Sequence, residues 1–297
     1  MRTYTILFYN TMWGHLGDLD ELQIPPDIRI EKDISLAPVA DVIVFHMPTL
    51  ERAPLLTKQP GQLWVFWTLE CDLNYPYLYT PEIQALFDVH MTYRLNADIT
   101  VPYILPAYRE ELRRKSGPKD GFVNAFISSG INGSKRNEYL QELMQLLDVH
   151  SYGKVFNNRK ITGDNGRQTK LDIIARYKFT LAFENAVATD YITEKFYDPL
   201  IAGSVPVYLG APNIRELAPG NHCFINVADF NTASALAAYL LELDRNEDEY
   251  GRFFDWKEQA FAPDFSALLD MQEIPTFIRL FDLIRKMKEA NEPPKKI

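Results

Sequence analysis

A single recurring pattern limits the folds open to this chain. Short apolar runs, rich in β-branched and aromatic residues, alternate with segments of helical period. The runs are Thr3–Phe8, Val42–Phe45, Leu63–Trp67, Val89–Tyr93, Phe122–Ile127, Phe179–Phe183, Val205–Tyr208 and Cys223–Ile225. Most are continuous rather than alternating, as expected of strands covered on both faces of a parallel sheet. Helical patterns fill the gaps at Pro81–Phe87, Ser134–Leu147, Thr169–Tyr177, Thr193–Ala202, Ser234–Leu243 and Ile274–Lys288. In Ser134–Leu147 an apolar face is expected from Tyr139, Leu140, Leu143, Leu146 and Leu147. Gly203 stands where a helix C-terminal glycine belongs. Strand and helix in alternation predict a doubly wound α/β architecture.

The stretch from Arg109 to Gly121, REELRRKSGPKDG, is highly charged, has no large apolar residue after Leu112 and carries Gly117-Pro118. It reads as a linker. At 297 residues two domains are favoured over one. The expected division is 1–115 and 116–297, two Rossmann-like halves facing across a cleft, with the last helix packing back on the N-terminal half.

Forty acids against 31 bases give a formal net charge of −9, which argues against general nucleic-acid binding. A small anionic ligand needs only a local basic pocket. The apolar runs are far shorter than the roughly 20 residues of a membrane span, and MRTYTILFYN is too short a run for a secretory signal. The two cysteines, Cys71 and Cys223, are read as reduced thiols of a cytoplasmic protein. On that reading the sequon Asn132-Gly133-Ser134 is accidental. The C-terminal LIRKMKEANEPPKKI is basic at its end, which suits either a solvated face or loose association with the inner membrane surface.

Several signatures are missing: no G-x-G-x-x-G after the first strand, no Walker motif and no G-x-S-x-G. The five histidines are scattered without metal spacing. His46 stands out because it follows the VIVF run, at the expected ligand-binding edge. Asp18-Leu19-Asp20 matches a short acidic pattern that some glycosyltransferases use for a metal, but in so acidic a chain it is read as chance. No metal site is expected.

Three places carry candidate chemistry. In YKFTLAFENAVATDYITEKFYDPLIAGSVPVYLG, residues 177–210, a strand ends at Glu184-Asn185 and Thr193 can cap a helix that opens with Glu194 and Lys195. A lysine in the first turn opposes the helix dipole, and a bound anion there would explain it. In FVNAFISSGINGSKRNEYL, residues 122–140, a strand and a glycine-containing turn lead to a helix with Arg136 near its start. A pyrophosphate between Arg136 and Lys195 fits both. Third, Glu70 follows the LWVFWTL run, where a partly desolvated carboxylate could accept a hydroxyl proton.

The 177–214 segment closely resembles the signature of the α-1,3/4-fucosyltransferases, a Y-K-F…F-E-N…Y-x-T-E-K…G-x-V-P-V…G pattern. MTYRLNADITVPY at 91–103, VADVIVFHMPTL at 39–50 and DEYGRFFDWKEQ at 248–259 resemble further segments of that family. The resemblance spans about residues 39–259 and implies a two-Rossmann fold of the GT-B kind. It implies inverting transfer of fucose from GDP-β-L-fucose to a hydroxyl of N-acetylglucosamine, O3 foremost, in a lactosamine-type glycan acceptor. Carried over by position, Arg136 and Lys195 match the bases that hold the diphosphate, and Asn185, Tyr191 and Glu194 match donor-contacting positions. His46 falls on the acceptor side, and Glu70 falls at the general base of a W-x-S-x-E-S-P segment. After Glu70 the family has Ser-Pro where this chain has Cys71-Asp72, so a second acid stands beside the base. No cofactor is expected to be required, although a divalent metal could stimulate the reaction.

Overall fold

The computed structural model describes residues 2–50, 56–115 and 117–290. The chain divides into two compact units. The first runs to Pro102 and is joined by the chain from Glu273 onward; the second is Tyr103–Gln272.

The first unit is built on a parallel six-stranded sheet of β1 (Tyr4–Phe8), β2 (Ile28–Glu31), β3 (Val42–His46), β4 (Leu63–Thr68), β5 (Val89–Thr92) and β6 (Ile99–Thr100), in the order β2-β1-β3-β4-β5-β6. The alternation of side chains across each strand divides its apolar residues between two layers. Ile6, Phe8, Val42, Val44, Val65 and Trp67 pack with Phe277, Leu280, Phe281 and Ile284 of the closing helix Thr276–Ala290. Leu7, Ile43, Phe45, Trp64 and Phe66 form the opposite layer with Met47, Leu78 and Phe87. Each such side chain, fully buried, contributes about 1.5–3 kcal/mol.

Polar anchors fix the closing helix. Arg285 donates to both oxygens of Asp27 at 2.7 and 2.8 Å, and the buried Lys288 Nζ donates to the Asp41 and Gly61 carbonyls. Two bases of the basic C-terminal segment are therefore engaged in packing; residues 291–297 of that segment lie outside the described residues. Among the described residues no helix is long and apolar enough to cross a membrane. Cys71 and Cys223 are both buried free thiols.

The second unit holds a parallel five-stranded sheet of β7 (Gly121–Ala125), β8 (Val149–Ser151), β9 (Tyr177–Phe183), β10 (Val205–Leu209) and β11 (Ile225–Asn226), in the order β11-β10-β9-β7-β8. After α1 (Pro81–Gln84) of the first unit, the helices that matter here are α2 (Tyr108–Glu111), α3 (Arg136–Leu146), α4 (Arg167–Ile174) and α5 (Glu194–Ala202). Leu140 and Leu143 of α3 pack with Val123, Phe179 and Val207 on one face. Phe196, Tyr197 and Leu200 of α5 pack with Ala182 and Tyr208 on the other.

Some boundaries differ from the sequence reading. Leu146 is 45% exposed, because it lies at the rim of the apolar stripe where α3 ends. Tyr177 opens β9, paired with Gly121, and does not close the preceding helix. Tyr108, just before the charged stretch, and Leu112 within it are buried, and the Arg113 guanidinium lies 3.8 Å from the Phe261 ring centroid; Ser116 lies outside the described residues. Gly203 does terminate α5 in the left-handed region, at φ 75°.

Candidate active site

In the second sheet the chain leaves β7 toward β8 on one side and returns to β9 on the other. The order reverses between β7 and β9, and in open parallel sheets ligands bind beyond the carboxyl ends of the strands at such a point. Both sequence-selected helix ends are here. Ser134 ties the two connecting loops together: its N–H donates to the Asn185 carbonyl at 3.0 Å and its hydroxyl to the Glu184 carbonyl at 2.6 Å.

Arg136 is only 1% exposed. Its Nη1 donates to the Phe183 carbonyl at 3.0 Å, and its Nη2 donates to the carbonyls of Ser129 and Ile131 at 3.0 and 3.1 Å. Its buried Nε has no partner. Three carbonyls orient the guanidinium without supplying a counter-charge; the opposing charges are those of Glu184 and Glu194 nearby. Burial pulls its pKa down, and the fields of Glu184, Tyr191 and Glu194 act against that. Lys135, just before α3, has φ 59°, and the Asn132 side chain supplies the cap by accepting from Asn137 N at 3.0 Å.

The other loop is organised by an acid. Glu184 is fully buried. It accepts from Thr193 N at 2.7 Å and from the Thr193 hydroxyl at 2.9 Å. That hydroxyl accepts in turn from Lys195 Nζ at 3.0 Å. Lys195 Nζ also lies 3.1 Å from Glu194 Oε1 and 3.5 Å from Glu184 Oε2. Burial raises the Glu184 pKa, with Lys195 opposing. Burial would lower the Lys195 pKa, but Glu184 and Glu194 outweigh it and keep the ammonium charged. Glu194 is held below the usual carboxylate range, its desolvation outweighed by Lys195 and Lys170. Arg136 also acts electrostatically on Lys195. The structure thus gathers Arg136, Lys195, Glu194, Asn185 and Tyr191 around one switch point. Asn185 and Tyr191 are buried; the Tyr191 carbonyl accepts from Tyr208 OH at 3.4 Å.

Sequence reasoning treated Glu184 only as the end of a strand. The signal was an acid placed directly after the fully apolar end of YKFTLAF, where it has no solvent. Gly210 belongs to the same construction: a Cβ there would lie 2.3 Å from Tyr208 Oη and 2.7 Å from Glu184 Cγ.

The first sheet reverses between β1 and β3, and its switch point is neutral. His46 is 1% exposed. Asn10 brackets it, accepting from His46 N at 2.9 Å and donating to the His46 carbonyl at 2.7 Å. His46 Nδ1 lies 2.8 Å from Thr49 Oγ1. Burial, helped by His15, depresses the His46 pKa to about 4, so the ring is neutral near pH 7.

Glu70 lies just past β4 and is half-buried. Its N–H donates to Thr68 Oγ1 at 3.0 Å, and its charge contributes to raising the Tyr75 pKa, after burial. The neighbouring Asp72 is committed elsewhere. It takes two hydrogen bonds from Arg94, Nε at 3.1 Å and Nη2, and one from Tyr93 OH at 3.0 Å. Burial alone would raise its pKa, but Arg94 and Tyr93 hold it below the usual carboxylate range. An anion tied this firmly is a poor proton acceptor. Among the described residues no group of three or more His, Cys, Asp or Glu could hold a metal ion; the side chains of Asp18 and Asp20 lie outside the described residues.

Two units with parallel sheets, one holding the buried Arg136 and the half-buried Lys195 at its switch point, define a doubly wound α/β protein. The comparisons place it more closely. The family model described as glycosyltransferase family 10 (fucosyltransferase), C-terminal, matches residues 116–297, and that described as fucosyltransferase, N-terminal, matches residues 1–104. The chain belongs to this fucosyltransferase family.

It is 32% identical over 264 residues to 4-galactosyl-N-acetylglucosaminide 3-alpha-L-fucosyltransferase 9 of Mus musculus, covering 86% of this chain and 71% of the relative. It is 34% identical over 239 residues to GDP-fucose protein O-fucosyltransferase 3 of Xenopus tropicalis, covering 74% of this chain and 50% of the relative. Among solved structures, an alpha1,3-fucosyltransferase with GDP-fucose matches with TM-score 0.64 at 17% identity, over 100% of this chain and 93% of that one. That likeness shows the fold.

Proposed function

We propose that this protein transfers L-fucose from GDP-β-L-fucose, with inversion, to O3 of N-acetylglucosamine in a lactosamine-type glycan. The observation that carries the reading is the pairing of Arg136 and Lys195 at two helix mouths on one switch point, in a chain of this family. The names of the relatives support the donor and the linkage.

In this reaction the acceptor O3 forms a bond to the fucose anomeric carbon as the bond to the β-phosphate oxygen breaks. Glu70 takes the acceptor proton, an effect of about 10²–10⁴-fold. Arg136 and Lys195 receive the charge of departing GDP, each charge-assisted hydrogen bond contributing about 1.5–3 kcal/mol. Asn185, Tyr191 and Glu194 contact the donor, and His46 lies on the acceptor side. Because side-chain cations meet the leaving-group charge, a metal is not strictly required, although a divalent ion could stimulate. The two buried free thiols support a reducing, cytoplasmic setting.

The test is incubation with GDP-fucose and N-acetyllactosamine in excess chelator, with the product linkage read by NMR. An α-1,3 product is expected. Turnover with GDP-mannose or a UDP-sugar instead would replace the donor, and fucose on a polypeptide hydroxyl would replace the acceptor. Binding of GDP without any transfer would make this a non-catalytic binding protein. Loss of activity in chelator that manganese restores would overturn metal independence.

A further inference from the structure

Trp13 breaks a local rule that nothing described so far accounts for. It is 62% exposed and holds φ 50°, followed by Gly14 at φ 101°. The two are the central residues of a tight hairpin: Met12 N donates to the His15 carbonyl at 2.9 Å and His15 N to the Met12 carbonyl at 3.3 Å. Positive φ at both central positions marks a type I′ turn, where Asn-Gly, Asp-Gly and Gly-Gly are the favoured pairs. For a bulky residue the left-handed region is an outlier, costing on the order of 1–3 kcal/mol. With its surface largely in solvent, Trp13 does not recover that cost by burial.

The position of the turn supplies the reason. It lies past the carboxyl end of β1, at the reversal between β1 and β3, where a sheet of this order takes its ligand. The indole stands 5.1 Å from the His46 ring at 70°, and the His46 ring lies 5.0 Å from that of Trp67. Beneath is the neutral frame of Asn10, His46 and Thr49, with Thr49 Oγ1 donating to the Thr11 carbonyl at 2.8 Å. Gly14 N donates to Thr11 Oγ1 at 3.1 Å and Gly17 N to His15 Nδ1 at 3.1 Å, so the turn is held from both sides. The result is one rigidly offered aromatic face over an uncharged floor. This matches the chemistry of a neutral pyranose, whose axial C–H groups form an apolar, weakly positive face that meets the negative face of an indole. An anion would find no cation in this frame, because His46 is neutral.

We infer that Trp13 is the stacking platform of an acceptor-sugar subsite on the first unit. The inference rests on the functional reading above and adds to it the residue that grips the acceptor.

The test replaces Trp13 by Asn, Phe and Tyr in the full chain and measures N-acetyllactosamine KM, kcat, GDP affinity and thermal midpoint. Trp13→Asn creates the preferred Asn-Gly pair, so the midpoint is expected to rise by about 2–4 °C. Acceptor KM is expected to rise by about tenfold, the scale of one lost aromatic contact, with GDP affinity and kcat unchanged. Trp13→Phe and Trp13→Tyr are expected to recover most of the acceptor KM. An unchanged KM in Trp13→Asn, with wild-type transfer intact, overturns the subsite and leaves the functional reading standing. A wild-type chain that transfers no fucose sinks both. A loss of GDP affinity equal to the loss of acceptor affinity would make Trp13 merely structural.

Discussion

The two switch points share a topology and differ in what they bury. At the second, Arg136, Glu184, Glu194 and Lys195 form a compact set of ions, two of each sign, with Arg136 and Glu184 almost wholly out of solvent. At the first, His46, Asn10 and Thr49 form a neutral hydrogen-bonded frame beside exposed Trp13. Burying unneutralised charge is costly and is retained only where it is paired or hydrogen-bonded. A frame without charge suits a ligand recognised through hydroxyls and C–H faces. On the reading proposed above, the fold is used twice with different electrostatics: one edge for a diphosphate leaving group, the other for an uncharged sugar. Glu70 adds a half-buried acid to the neutral side, and Asp72 a second that is paired with Arg94.

The most damaging change to this division should be Glu70→Gln. It keeps the shape but removes the charge and the proton acceptor. Transfer is expected to fall by about 10²–10⁴-fold, while GDP affinity by calorimetry stays at the wild-type value. Undiminished transfer would strip the first unit of its chemical role and leave it a recognition surface only.

Lys195→Ala should produce the complementary pattern. Its ammonium answers both Glu184 and Glu194, so its removal takes away a phosphate partner and leaves the buried Glu184 without its cation. GDP affinity is expected to fall by roughly 10- to 150-fold, the equivalent of about 1.5–3 kcal/mol. N-acetyllactosamine KM is expected to change little. Circular dichroism must show the folded chain in the same sample. GDP binding at wild-type strength in a folded Lys195→Ala protein would refute the assignment of the two edges.

How much of this was legible in the sequence follows from where the information resides. The central strands announced themselves, because a strand covered on both faces reads as a near-continuous apolar run, as in VIVF of β3, LWVFW of β4 and LAF of β9. Three of the edge strands did not: Ile28–Glu31 alternates, Val149–Ser151 has one apolar residue, and Ile99–Thr100 has two residues in all. Such strands exist because a neighbour offers hydrogen-bonding groups, a tertiary fact that local pattern does not carry. At the site, Lys195 was found because a cation in a first helical turn conflicts with the dipole, and Arg136 because a strand and a glycine-containing turn lead to a helix with a base near its start. Their environments were not: that Arg136 is held by three carbonyls, and that Thr193 stands between Glu184 and Lys195, depends on β7 and β9 being neighbours. Trp13 escaped notice because its oddity is a dihedral angle, which composition does not show.

The departure of Cys71-Asp72 from the family's Ser-Pro gives the finest test of the neutral edge. A proline after the base would stiffen the turn by fixing φ. Here Asp72 opens a short 3₁₀ turn, Asp72–Asn74, as its first residue, a position that tolerates proline. Cys71 before it has φ −61° and ψ 132°, the extended conformation a following proline demands. The stiffness comes instead from side chains: Asp72 Oδ1 accepts from Leu73 N at 2.9 Å and from Tyr93 OH, while Arg94 holds Oδ2. On this reading Asp72 positions Glu70 without touching the reacting atoms. Asp72→Ala should lower kcat by about tenfold, a loss of roughly 1.4 kcal/mol in the placement of a catalytic group, with GDP affinity and acceptor KM unchanged. The double change Cys71→Ser with Asp72→Pro, which restores the proline stiffening, should recover most of that kcat. A stable Asp72→Ala protein with full kcat would show that the turn needs no clamp. A proline variant as slow as the alanine one would show that the Asp72 carboxylate acts by its charge on Glu70, not by holding the backbone.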